Sequence, residues 1–585
     1  MPPQAAMPFT ILALCWLPAG LVGAVWLGGH TASWLTGHGW MGPQFSLKWA
    51  LGLQHGVTAS WPAVPAGLVW GLSAAIVLVV LIPGIVAFAK YQRRPMPGEA
   101  LGSMARPADV SGLIPAGVAN KARQLRPSLA SAPRNGVRPD DAGVPLGLLR
   151  PSGPQLRAGW EDVLLVFMAP RSGKTSEVAV PQILAAPGAV VATSNKVDVW
   201  ALTEAARATS TKQRCWVFDP QRIALVTQTW WWNPLQGVTT VEAAQRLTTH
   251  FLAEIRGDQQ REFWSSAAED VLASLFLAAG SAGRTLVDVY EWLNKPTSPV
   301  PVDLLREYGH TASATGLRGR QGGAEETREG VFETARTAAK CLRDPNIMAW
   351  VTPPPFDLER FDTTNFAATT ETLYLLTKDG AGGAAPLVAA FADRVMQDAT
   401  RLAERRGGRL DPPLLVVLDE AANICKIADL PQLYSHLGSR GIIPVTILQS
   451  FPQGVGVWGP TGMDTLWAAA TIKIVGAGLD DDEFLEKVSK LIGEHDVATR
   501  AVNQGSQNYG EHLSLRRQRI LAVEDLRQLP KGTAVLLATG CRPAMLAMQP
   551  WYRGPRALEV TKSSQAALAS LAERANAQDG VAAVA

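Results

Sequence analysis

Residues 163–183 read VLLVFMAPRSGKTSEVAVPQI: an apolar run of strand character, a tight loop, then a segment with helical spacing. A Gly-Lys-Thr loop in that setting points to an α/β layer structure, in which a buried strand delivers the loop to the start of a helix. The first helical turn leaves backbone N–H groups unpaired and carries the positive end of the helix dipole, so it attracts phosphate. Lys174 supplies neutralising charge, the Thr175 hydroxyl reaches a Mg2+ ion, and Gly173 lets the backbone come close. Pro170, Arg171, Ser172, Gly173, Lys174, Thr175 and Ser176 are therefore expected to bind nucleotide, with ATP and Mg2+ as cofactors. The glycine that opens the usual G-x-x-x-x-G-K-[ST] pattern is replaced by Met168, so the loop must accept a residue with a Cβ there.

Far downstream, the apolar run LLVVL leads straight into Asp419 and Glu420. A carboxylate at a strand's end can organise the water shell of Mg2+, and the next one can polarise an attacking water. Asp419 is thus the expected metal residue, with Thr175, and Glu420 the expected general base. The following strand, IPVTILQS, ends at Gln449, a candidate for sensing the terminal phosphate. Arg440, in SRGI just before that strand, is a candidate arginine finger and would need a neighbouring subunit.

Short apolar runs alternating with helical patterns predict a mainly parallel sheet with helices on both faces. Strands are expected at 163–167, 189–193, 215–218, 372–377, 414–418, 444–448, 472–475 and 534–538. The resulting division is a motor domain of residues 151–239 and 346–560, an inserted all-α domain at 240–345, and a C-terminal tail at 561–585. Residues 91–150, rich in Pro, Gly and Arg, read as a linker. Ahead of it, residues 8–28 and 66–88 carry no charged side chain and are each long enough to cross a bilayer as a helix, so residues 1–90 are expected to form a membrane anchor. Lys90, Arg93 and Arg94 follow the second stretch, whereas only Lys48 lies between the two. The positive-inside rule then places the body in the cytoplasm, below the plasma (inner) membrane. Cleavage of the first stretch as a signal peptide would leave that placement unchanged.

The net charge of +3 does not by itself announce a nucleic-acid partner. The five cysteines have no CxxC spacing, which argues against a zinc site or a disulfide framework. Trp230, Trp231 and Trp232 could stack on bases, but packing is the simpler reading. Asn195, Lys196 and Asp198 follow a strand end, where α/β proteins bind ligands.

The separation of Lys174 from Asp419 by a helical insertion, with the strings APRSGKTSEVAVPQIL, APGAVVATSNKVD, VFDP, the FW of Phe263 and Trp264, LDEAANICKIADLPQLYSHLGSRGI and RQLPKGTAVLLATGCRPAM, resembles the type IV secretion coupling proteins over about residues 150–555. The resemblance implies a RecA-type P-loop NTPase domain with an inserted all-α domain, preceded by two transmembrane helices, and a region like the TraM-recognition site. It further implies a homo-hexamer that takes relaxase-bound DNA or another secreted substrate to a type IV secretion channel in conjugation by ATP hydrolysis. Lys174 and Thr175 would hold phosphate and metal, and Asp419 and Glu420 would serve hydrolysis. The alternatives are a septal-type double-stranded DNA translocase and a nucleotide-dependent docking receptor that does not pump. The long insertion and the lack of a C-terminal winged-helix pattern speak against the first; Met168 is the feature that favours the second.

Overall fold

The computed structural model describes residues 20–92, 98–133, 136–255, 262–380, 382–502 and 511–582. The chain forms two compact units, residues 1–97 and 98–585.

The second unit is built on the strands β1 Val144–Leu149, β2 Gln155–Ala158, β3 Leu164–Phe167, β4 Val190–Ser194, β5 Cys215–Phe218, β6 Trp230–Trp231, β7 Glu359–Arg360, β8 Thr372–Leu376, β9 Leu414–Leu418, β10 Ile442–Leu448, β11 Ile472–Gly476, β12 Glu494–Val502, β13 Glu511–Arg519, β14 Thr533–Ala538 and β15 Ala544–Ala547. An 11-stranded sheet runs β2-β1-β15-β14-β11-β3-β10-β9-β4-β8-β5. From β11 to β5 every pairing is parallel. From β11 through β14, β15 and β1 to β2 every pairing is antiparallel. The parallel block carries continuous apolar runs such as LLVF, VVATS and LLVVL, all buried, because helices cover both of its faces. Each strand expected from the sequence is present within a residue or two. Separate ribbons are formed by β12 with β13 and by β6 with β7.

Between β6 and β7 the described residues form helices only, from Val241–Leu252 to Pro345–Ala349. Helix Glu262–Ser281 is central, packed by Val241–Leu252, Val300–Glu307, Thr311–Gln321 and Glu325–Ala338. The side chains of Phe263 and Trp264 lie outside the described residues. One buried carboxylate ties this layer to the motor. Asp393, on helix Ala385–Arg405, accepts two hydrogen bonds of 2.7 Å from the Arg246 guanidinium, one of 3.1 Å from His250 Nε2 and one of 2.7 Å from Gln397. Trp230, Trp231 and Trp232 are buried where the layer joins the sheet, with Trp232 stacked on Phe391 at 4.1 Å.

The linker reading of 91–150 gives way from residue 98 onward. Helix Pro115–Leu125, the turn Pro139–Ala142 and strand β1 are folded here, with Val110, Leu113, Val118 and Ala122 buried. Pro115, Pro127 and Pro139 each start a helical turn, where a missing N–H costs nothing. Arg126 is structural: its Nε donates to Asp411 at 2.9 Å. The tail is helical over Ala557–Ala582 and lies along helix Asp198–Thr211.

In the first unit, residues 20–35 are helical and are followed by the short helix Leu47–Gly52 and by Ala66–Gln92, a helix of 27 residues. Ala32, Val57, Trp61, Val64 and Val69 form its core. Residues 8–19 of the first apolar stretch, Cys15, Arg93 and Arg94 lie outside the described residues, as do the side chains of 80–92. Among the described residues no helix is long and apolar enough to cross a membrane.

Candidate active site

Strand β3 carries the loop Met168–Gly173 out of the sheet between β10 and β11. Met168 N–H donates to Leu448 C=O (3.1 Å) and Ala169 N–H to Ala477 C=O (3.4 Å), so both neighbouring strands hold the loop's first residues. The Met168 side chain is fully buried, and its space comes from Gly476 on β11: a Cβ at 476 would lie 2.6 Å from Met168 Cγ. The missing glycine is thus compensated by one on the adjacent strand. Past it the chain turns through Arg171 (φ 62°) and Gly173 (φ 107°) into a helix whose first turns, Lys174–Ala179, are wound as π-helix.

One strand over from β3 is β10, and beyond it β9, which ends at Asp419. This order brings the two motifs together. Thr175 Oγ1 lies 3.4 Å from Asp419 Oδ2, and Lys174 Nζ lies 3.3 Å from Glu420 Oε1. Glu420 is held in the left-handed backbone region (φ 56°), which turns its carboxylate back over the sheet's edge. Its Oε2 accepts from Asn423 Nδ2 at 3.0 Å and from Gln449 Nε2. Gln453 closes the circuit by donating to Asn423 Oδ1 at 2.6 Å and accepting from the Gln449 N–H at 3.1 Å. The hydrogen-bonded ring thereby orients the Glu420 carboxylate from behind.

Asp419 is buried, and its carboxyl is pushed up to about 7 by that burial and by Glu420, with Lys174 opposing and Asp198 adding to the rise. Its Oδ1 makes no hydrogen bond. A buried, unpartnered carboxylate oxygen beside a threonine hydroxyl fits a divalent cation, which would supply the missing partner and reverse the rise. Among the described residues no group of three or more His, Cys, Asp or Glu side chains could hold a metal ion. Mg2+ takes few protein ligands and keeps waters and phosphate oxygens, so Thr175 and Asp419 are the side chains that would hold it.

These groups surround a cleft of about 520 Å³, lined also by Pro170, Arg171, Ser176, Asn195, Lys196 and Asp198. Of the residues expected from the sequence, Arg440 alone stands apart. It precedes β10 and contacts the His436 carbonyl and Glu404, whereas Gln449 follows the same strand's other end. Seven residues of strand separate them, about 20 Å. Within one chain Arg440 therefore cannot reach the cleft. Four lining residues, Leu202, Asp379, Asn423 and Lys531, carry no motif in the sequence. Asp379 follows β8 and Lys531 precedes β14; the position of Asp379 past a parallel strand's C-terminal end was the available signal. The Asp379 carboxyl is raised by burial and by Glu420, with Lys426 opposing.

Residues 413–531, from the foot of β9 to Lys531, match the family model described as the TraM recognition site of TraD and TraG. Two relatives, each named conjugal transfer protein TraG of Escherichia coli, are 24% identical to the chain. One aligns over 77% of this chain and 74% of its own length, the other over 52% and 50%. Over this segment and across these relatives, the chain is similar to the conjugative coupling proteins. It spans about half the length of one of these relatives and three quarters of the other. A solved structure described as the bacterial conjugative coupling protein TrwBdeltaN70, unbound, is similar in fold, with a TM-score of 0.50 at 20% identity over 69% of this chain and 89% of that chain. The family match covers Asp419, Glu420 and Gln449 but not the Lys174 loop.

Proposed function

We propose that this chain is a coupling protein, an ATP-hydrolysing motor that links DNA, or a relaxase-DNA substrate, to a type IV secretion channel in conjugation. The observation that carries the reading is the meeting of Lys174 and Thr175 with Glu420 and Asp419 at 3.3 and 3.4 Å across the sheet's edge. The names of its relatives, conjugal transfer protein TraG, supply the setting.

Chemically, Lys174 and the N–H groups of the loop bind the phosphates. Thr175 and Asp419 would hold Mg2+, whose charge would offset that of the phosphate oxygens. Phosphate competes with Glu420 for Lys174, releasing a carboxylate already aimed by Asn423 and Gln449 to take a proton from water. Arg440 can act only on a neighbouring copy, as it would in a homo-hexamer. Membrane anchorage by two helices, with the body in the cytoplasm, is supported by exposed apolar side chains within the two stretches: Leu21 is 50% exposed, Trp70 53% and Val79 71%. The docking-receptor reading loses its motive, since Gly476 accommodates Met168.

The test is ATP hydrolysis by the full-length chain in detergent, with and without DNA. DNA-stimulated turnover is expected, with Lys174→Ala losing it and Glu420→Gln losing about 10²- to 10⁴-fold while still binding nucleotide. Nucleotide binding with no turnover in the unsubstituted chain would refute the motor.

A further inference from the structure

Besides Lys174 and Lys196, the cleft has a third lysine, Lys531, on its rim, delivered by the antiparallel flank of the sheet. Lys531 is exposed in the turn before β14, where Thr533 N–H donates to Pro530 C=O at 3.0 Å and Gly532 adopts φ 82°. Met548 N–H fixes the turn from β15's end by donating to Gly532 C=O at 2.9 Å. The turn lies over Glu177: a Cβ at Gly532 would be 3.8 Å from Glu177 Oε1. Glu177 itself is buried and folded beneath Gly173, where a Cβ would lie 2.7 Å from Glu177 Cδ. Its Oε2 has no hydrogen-bond partner, and the cations nearest in effect are Lys531 and Arg553.

The two sides of the phosphate loop therefore differ. Thr175 and Lys174 face Asp419 and Glu420, the side on which water would be activated. Glu177 and Lys531 occupy the other side. A nucleotide whose terminal phosphate lies toward Glu420 presents the sugar end of its phosphate chain there. We propose that Lys531 is a second phosphate-binding cation that grips the nucleotide at the sugar end of the chain, with Glu177 as the positioning residue that aims it. This rests on the cleft being a nucleotide site.

A contact with phosphates shared by ATP and ADP, remote from the reacting bond, adds binding equally to ground and transition states. Lys531→Ala in the full-length chain should weaken both ATP and ADP about tenfold, the low end for an exposed charge-assisted contact. KM should rise alongside while kcat stays within about twofold. Lys531→Arg should recover most of the affinity, and Glu177→Gln should weaken both nucleotides in the same sense. The measurements are equilibrium titrations with fluorescent ATP and ADP analogues and steady-state hydrolysis. Unchanged affinity for Lys531→Ala, or a fall in kcat at constant KM, would overturn the role of Lys531 and leave the site reading standing. Absence of binding by the unsubstituted chain would overturn both.

Discussion

Met168 keeps its side chain inside the sheet only because β11 has none at the facing position. That makes the pair a unit: shortening Met168 to Ala should leave a void and cost about 2–5 kcal/mol, and Gly476→Ala should destabilise by collision. Because each change supplies or removes the space the other needs, the double variant should lose less than the sum, as urea unfolding of the three proteins would read. Restoring the usual glycine at 168 should likewise weaken the fold rather than quicken hydrolysis. At this scale the sequence was informative wherever chemistry is local. The Lys174 loop and the Asp419–Glu420 pair were legible because strand, loop and acidic pair are each contiguous in the chain. Asn423, Gln453 and Lys531 were not, since their roles depend on which loops the strand order brings together.

Among the elements, the helical layer is held to the motor through a charge that folding has buried. Burial opposes ionisation of Asp393, but hydrogen bonds from Arg246 and His250 outweigh it and hold its carboxyl well below the usual carboxylate range. A carboxyl depressed in the folded state contributes stability that is complete above its unfolded value near 4 and drains away as pH falls below it. Asp393→Asn should cost about 3–5 kcal/mol at neutral pH, the scale for breaking a buried pair. The gap between variant and parent should stay constant from pH 6 to 8 and narrow below about pH 4; a gap independent of pH would remove the charge from the account. The helical layer was readable from apolar spacing alone, as were the parallel strands, because burial on both faces writes continuous apolar runs. Strands β1 and β2 escaped notice for the opposite reason. Pro145 and Gly147 interrupt β1, and its register shifts between those two residues against β2, so neither strand shows a run or an alternation.

For the molecule as a whole, the position of β1 decides where the body begins. It sits between β2 and β15, inside the sheet rather than at its margin. A chain beginning at Gly98 should fold and bind nucleotide, whereas one beginning at Pro151 should aggregate, having lost β1 and the helix Pro115–Leu125 that packs on β2. Soluble yield and a cooperative melt would distinguish the two; equal behaviour would show that the segment 98–150 is dispensable after all. The same interleaving sets a timetable for biosynthesis. After β2 leaves the ribosome, β15 has yet to be made, and at ordinary elongation rates the wait is about 20–80 s. Until then the β1–β2 hairpin has no neighbour for its inner edge. The nascent body must therefore be sheltered through most of its own translation, and its assembly is completed from the carboxyl end.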